Sequence, residues 1–169
     1  MLKQIRPTGK TTSFFDAVVM AARLLEQSAS EGTRQAIIVL SDGSDNTSAA
    51  NLASTLVEMR RGSAVFYAIN PRKEDIVRLN KTSASGQENL TTLANATGGD
   101  VFVSDETRHL ESIFSKITAE LRTQYLMLYY SLIPDMDGKF HTIKVSVPDQ
   151  PGLNIRTRAG FLAVNSSTE

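Results

Sequence analysis

The chain has no cysteine among its 169 residues, which excludes disulfides, zinc–thiolate sites and cysteine nucleophiles. That absence assigns no compartment. It has only two histidines, His109 and His141. Neither is set beside an activated serine by its local sequence, so nucleophilic catalysis is poorly supported. Charge of either sign is not in excess: 18 Lys and Arg balance 18 Asp and Glu. There is therefore no electrostatic footprint for nucleic acid or for an anionic membrane surface. No apolar run approaches the roughly 18 residues of a membrane span, so no membrane insertion is expected. The opening Met1-Leu-Lys-Gln-Ile-Arg-Pro7 lacks the apolar stretch of a signal peptide. The expectation is that the protein stays inside the cell or takes its targeting from an upstream segment.

What is present is enough to bury a core: 41% of the residues are hydrophobic, and the length fits one domain with a small appendage. The most informative stretch is Ala36-Ile-Ile-Val-Leu-Ser-Asp-Gly-Ser-Asp-Asn46. Five apolar residues end in an acidic, glycine-containing loop. A buried parallel strand delivers a carboxylate to the carboxyl edge of an α/β sheet in this way, and such sheets hold their ligands there. Asp42 thus reads as half of a metal site. Asp42 and Asp45 together could share a cation, although a strand-end Asp-Gly also serves as a plain turn.

The rest of the chain alternates helix and strand. Residues 1–12 form an extended lead-in broken by Pro7 and Gly9. Helical spacing of Phe14, Ala17, Val18, Ala21, Leu24 and Leu25 predicts a helix over 13–27. Strand 35–41 follows. A helix capped by Thr47 or Ser48 runs to about Arg61, with Leu52, Leu56 and Met59 inward and Gly62 as its stop. Strand 64–69 ends at Asn70-Pro71. The Lys- and Ser-rich stretch 72–86 reads as a mobile surface loop. A short helix over 88–96 ends at Gly98-Gly99, and strand 100–103 follows. Ser104 or Asp105 then caps a helix to about Arg122, lined by Leu110, Ile113, Phe114, Ile117 and Leu121. This alternation implies a mostly parallel sheet with right-handed crossovers, a three-layer α/β/α Rossmann-like arrangement. From Gln124 the pattern changes. Strands over 125–132, 141–147 and 153–158, separated by Pro-Gly turns, predict a three-stranded antiparallel meander. The organisation expected is an α/β domain over 1–123, a β appendage over 124–164 and a disordered tail over 165–169.

Other motifs carry less. Gly9-Lys10-Thr11-Thr12 resembles the end of a phosphate-binding loop, but Gln4 stands where the motif needs glycine and no apolar strand precedes it. A lysine-bearing turn before a helix is the plainer reading. Five Asn-x-Ser/Thr triplets, at Asn46, Asn80, Asn89, Asn95 and Asn165, follow from a composition rich in these residues.

Two segments together point to a family. Pro7-Thr-Gly-Lys-Thr-Thr-Ser-Phe-Phe-Asp-Ala17 precedes the first helix, and Ile37-Ile-Val-Leu-Ser-Asp-Gly-Ser-Asp45 follows it. Their order resembles the second and third metal-site motifs of von Willebrand factor type A domains. The resemblance implies that Thr12 and Asp42 are ligands of a divalent cation, Mg²⁺ or Mn²⁺. Asn89-Leu-Thr-Thr-Leu-Ala-Asn-Ala-Thr-Gly-Gly-Asp-Val-Phe102 is similar to that family's later helix and final strand. The segments Gln124–Tyr130, Gly138–Val145 and Arg158–Phe161 look like the C-terminal extension of a bacterial, often exported branch, the von Willebrand factor A-related proteins. The resemblance implies a secreted or cell-envelope location and a non-enzymatic module that binds a protein partner. The family's first motif, Asp-x-Ser-x-Ser, is not found, and Thr11 stands where glycine is usual. The expectation is the C-terminal two thirds of such a domain, with an incomplete cation site that binds weakly or not at all. Strand 36–40 would then lie at a sheet edge, able to pair with another copy. The competing expectations are a hydrolase, either nucleotide-dependent through Lys10 or metal-assisted through Asp42 and Asp45, and a structural fragment that assembles through its open edge.

Overall fold

Three short parallel strands form the centre of the computed structural model, which describes residues 11–30, 33–71, 81–104, 106–127, 129, 137–150 and 152–163. Helix α1 spans Phe14–Gln27, strand β1 Ala36–Leu40, helix α2 Leu52–Arg61 and strand β2 Val65–Asn70. Helix α3 spans Lys81–Thr97, strand β3 Val101–Val103 and helix α4 Leu110–Thr123, the last entered through a 3₁₀ turn at Thr107–His109. The sheet order is β1-β2-β3, with Ile38 level with Tyr67 and Ile69 level with Phe102. This is the α/β arrangement with a parallel sheet that the alternation predicts.

The two faces of the sheet are covered unequally. On one face Phe14, Phe15, Val18 and Ala22 of α1, Met59 of α2, and Leu90, Leu93 and Ala94 of α3 enclose Ile37, Phe66 and Ala68. On the other, Ile113 and Ile117 of α4 cover Tyr67 and Ile69, with Leu110 and Leu121 beside them. β2 is therefore buried on both faces, which explains its unbroken apolar run. Phe114, predicted to line the inner face of α4, is exposed instead. So are Ala17 and Leu24 of α1, which share helical spacing with the core residues but lie on its flank.

Several element boundaries depart from the sequence reading. α2 begins at Leu52, four residues late, because Asn51 caps it: its side chain accepts from Ser54 N–H while Ser54 Oγ accepts from Asn51 N–H. α3 begins at Lys81, inside the stretch predicted as a loop; residues 72–80 lie outside those described. α3 ends as expected, with Gly98 at φ +82° and Gly99 N–H returning to Ala94 O. Thr97 Oγ1 accepts from Phe66 N–H at 2.9 Å, which satisfies a strand donor just before β3 begins.

The C-terminal region is antiparallel, as predicted, but its strands are shorter and partly displaced. β4 (Phe140–Thr142) pairs with β5 (Gly160–Leu162), with His141 level with Phe161. Residues 143–147 and 153–158, though clean in their alternation, are in no strand ladder. The ladder forms where Phe140 and Phe161 have aromatic and cationic neighbours. Tyr125, Leu126 and Met127 are exposed coil, not strand, and 130–136 lie outside the described residues. The segment is joined to the α/β body. Arg158 Nη2 donates to Arg60 O at 2.8 Å, Ala159 N–H to Ala96 O at 3.2 Å, and Arg60 lies 4.0 Å over the Phe140 ring. Arg156 bridges Asp100 at 2.9 Å and Glu120 at 2.5 Å. No helix among the described residues is long and apolar enough to cross a membrane.

Candidate functional site

The loop after β1 sits at the carboxyl end of the sheet, and two neighbouring helices fix its shape. β1 stops at Leu40, and Ser41 Oγ accepts from Gly43 N–H at 3.1 Å. Asp42 Oδ1 accepts from Ser44 N–H at 3.0 Å, so the carboxylate folds over its own turn. Gly43 has φ +74°, and a Cβ there would stand 2.1 Å from Gly86 O of α3. Only glycine fits at this crossing. Asn89 Nδ2 donates to Gly43 O at 3.1 Å and ties the same turn to α3.

On its other side the loop is bound to the start of α1. Thr12 N–H donates to Asn46 Oδ1 at 2.7 Å, and Asn46 N–H returns to Thr12 O at 3.0 Å. The segment carrying Thr12 and the loop carrying Asp42 are thereby held side by side. Ser13 Oγ and Thr47 Oγ1 extend the contact at 2.8 Å.

Asp45 does different work from that expected. Its Oδ2 accepts from Phe15 N–H at 3.0 Å and from Ser48 Oγ at 2.5 Å, and its Oδ1 accepts from Ser48 N–H at 3.1 Å. It satisfies the open donors at the start of α1 across the chain, in place of a local cap, since Ser13 makes none. Burial by itself would raise the Asp45 carboxyl. The hydrogen bonds from Ser48 and from the Phe15, Ser48 and Phe14 backbone outweigh it and hold the group below the ordinary value of 3.8. A carboxylate so engaged has little left to offer a cation shared with Asp42. Asp16, which the sequence reading did not single out, acts in the reverse direction: its two oxygens accept from Ala49 and Ala50 N–H at 3.0 and 2.9 Å. An Asp in the first turn of a predicted helix was the only signal for it.

The remaining candidates lie elsewhere. His109 is exposed at the start of α4, 3.5 Å from Glu106. His141 in β4 meets Asp137 Oδ1 at 3.0 Å and stacks on Phe161. Gly9 and Lys10, the phosphate-loop candidates, lie outside the described residues. Among the described residues no three or more His, Asp and Glu side chains group as metal ligands. A hydroxyl and a carboxylate, Thr12 and Asp42, are hard oxygen donors that suit a hard divalent cation. Together they would be two of the roughly six oxygens such a cation needs.

The family model for the von Willebrand factor type A domain matches residues 1–116. Neither a curated protein nor a solved structure matches the chain.

Proposed function

Since this chain belongs to the von Willebrand factor type A domain family, whose members generally serve as protein-interaction modules, we propose that it is a non-enzymatic, adhesion-type module. In this reading it binds its partner at the carboxyl end of the sheet. Thr12 and Asp42 hold a divalent cation weakly, and a carboxylate of the partner completes its shell. The observation that carries the reading is the reciprocal clip between Thr12 and Asn46, which sets the Thr12 segment against the Asp42 loop. Asp16 and Asp45 add rigidity, and a rigid loop loses little entropy on binding.

Residues 1–123 are taken as the α/β body and 124–164 as its β extension. The working place is taken to be outside the cell or in the envelope, on the strength of the family resemblance. Titration calorimetry with Mg²⁺ and Mn²⁺ tests the cation. Weak binding is expected in the unaltered protein, together with its loss in Asp42→Ala. Equal heats in both, or none in either, remove the cation from the reading.

A further inference from the structure

We propose that residues 156–159 are a releasable strap, which fastens α4 to α2 across the amino end of the sheet, with Arg156 as its clasp. These four consecutive residues reach α4, the start of β3, α3 and α2. Arg156 Nη2 meets Glu120 of α4 at 2.5 Å, and its Nη1 meets Asp100, just before β3, at 2.9 Å. The backbone of Thr157 lies against the end of α3, where a Cβ on Gly98 would stand 2.9 Å from Thr157 C. Arg158 Nη2 donates to Arg60 O of α2 at 2.8 Å. Ala159 N–H donates to Ala96 O of α3 at 3.2 Å.

The clasp has a built seat. Asp100 Oδ1 is fixed by Val101 N–H at 2.8 Å, which leaves Oδ2 for Arg156. Gly99 O accepts a longer bond from Arg156 Nη1 at 3.4 Å. The buried Tyr67 hydroxyl is hydrogen-bonded to Glu120 beneath it. Without Arg156, two carboxylates would share this seat with no cation between them.

Two observations make the strap releasable. Its attachments are ion pairs and hydrogen bonds: among the described residues neither apolar core cluster extends past Leu121. Lifting it therefore opens no hydrophobic core. The clasp is also within reach of water, since the side chains of Arg156, Asp100 and Glu120 are 36%, 48% and 30% exposed. Ion pairs exposed to this degree are screened by salt and hold loosely. The bonds inside the C-terminal segment are separate from those to the body. Ile143 N–H donates to Ala159 O at 3.0 Å and Ala163 N–H to Lys139 O at 2.9 Å, and neither crosses to α2, α3 or α4. The seat lies at the opposite end of the sheet from Asp42, so this inference does not depend on the cation.

Hydrogen exchange at single amides tests it. Ala159 N–H bonds across to the body and is expected to exchange faster in molar sodium chloride than at low salt. Arg156→Met keeps the aliphatic stem and removes both ion pairs. It is expected to speed Ala159 roughly fivefold or more at low salt and to abolish the salt dependence. Ile143, Ala163 and the amides of β2 should hold their rates. Glu120→Gln should act in the same direction, and Arg156→Met should then add less than it does alone. An Ala159 rate indifferent to both salt and Arg156→Met overturns the proposal. So does equal acceleration in β2, because the strap would then lift only with global unfolding. Strictly additive effects of the two substitutions also overturn it, because a clasp requires the two side chains to act together.

Discussion

At the scale of single residues the site is organised by two carboxylates that are not its proposed ligands. Asp45 accepts from Phe15 N–H of α1 and twice from Ser48 within its own loop, and Asp16 of α1 accepts from Ala49 and Ala50 N–H, so three of these five bonds join the start of α1 to the segment after β1. Asp45→Ala removes a charged acceptor from helix-end donors and is expected to cost about 1–3 kcal/mol in denaturant unfolding. The pH dependence follows from the direction of its shift. The folded-state value lies below the ordinary 3.8, so the stabilisation is complete above that value. It fades as pH falls below 3.8 and through the lower folded value. The difference in stability between the unaltered protein and Asp45→Ala should therefore shrink on acidification below about pH 4. A difference constant from pH 7 to pH 3 would contradict this role. That the Thr12 segment and the Asp42 loop lie together was legible through the order of the two family motifs they resemble. The role of Asp45 was not, because its partners at Phe14 and Phe15 lie about thirty residues away and are reached only once the loop folds back.

Among elements, the parallel strands and the C-terminal ends of the helices were the easiest to read, and the start of α3 and the C-terminal meander the hardest. β1 and β2 are continuous apolar runs bounded by polar residues. Gly98 and Gly99 stop α3 in the expected way. The first turns of α3, Lys-Thr-Ser-Ala-Ser-Gly, have no apolar periodicity, and four of the six residues are Thr, Ser or Gly, weaker helix formers, so a loop was the natural reading. The helix persists there beside a glycine-to-glycine crossing. Gly86 is buried, and a Cβ on it would meet Asp42 O at 2.4 Å. This reverses an ordinary expectation. Gly→Ala inside a helix usually gains up to about 1 kcal/mol. Gly86→Ala is expected to lower thermal stability instead, because the methyl must displace the backbone of the loop that carries Asp42. It should also weaken any cation binding at that loop. A raised melting temperature with unaltered calorimetry would show that the crossing is not as tight as the contact implies. The C-terminal meander misled for a related reason. Clean alternation over 141–147 and 153–158 promised long strands, yet the ladder forms where aromatic residues at 140 and 161 have neighbours. Alternation sets the face of a strand but not its partner.

At the scale of the whole molecule the described sheet has one strand covered on both faces, β2, and two flanking strands of different character. β3 has three residues and lies beside the segment held by Arg156. β1 is longer and apolar, with Ile38 and Leu40 exposed. This asymmetry gives hydrogen exchange a pattern, amide by amide. In β2 the odd-numbered amides face β1 and the even-numbered ones face β3, as Ala68 N–H to Asp100 O shows, so all should be protected close to the limit of global unfolding. In β1 the odd-numbered amides face β2, and among the described residues no strand lies against the even-numbered ones. Ile37 and Val39 should therefore exchange slowly while Ile38 and Leu40 exchange fast, a period-two alternation along one strand. Equal protection at all four amides would contradict this assignment of the two sides of β1.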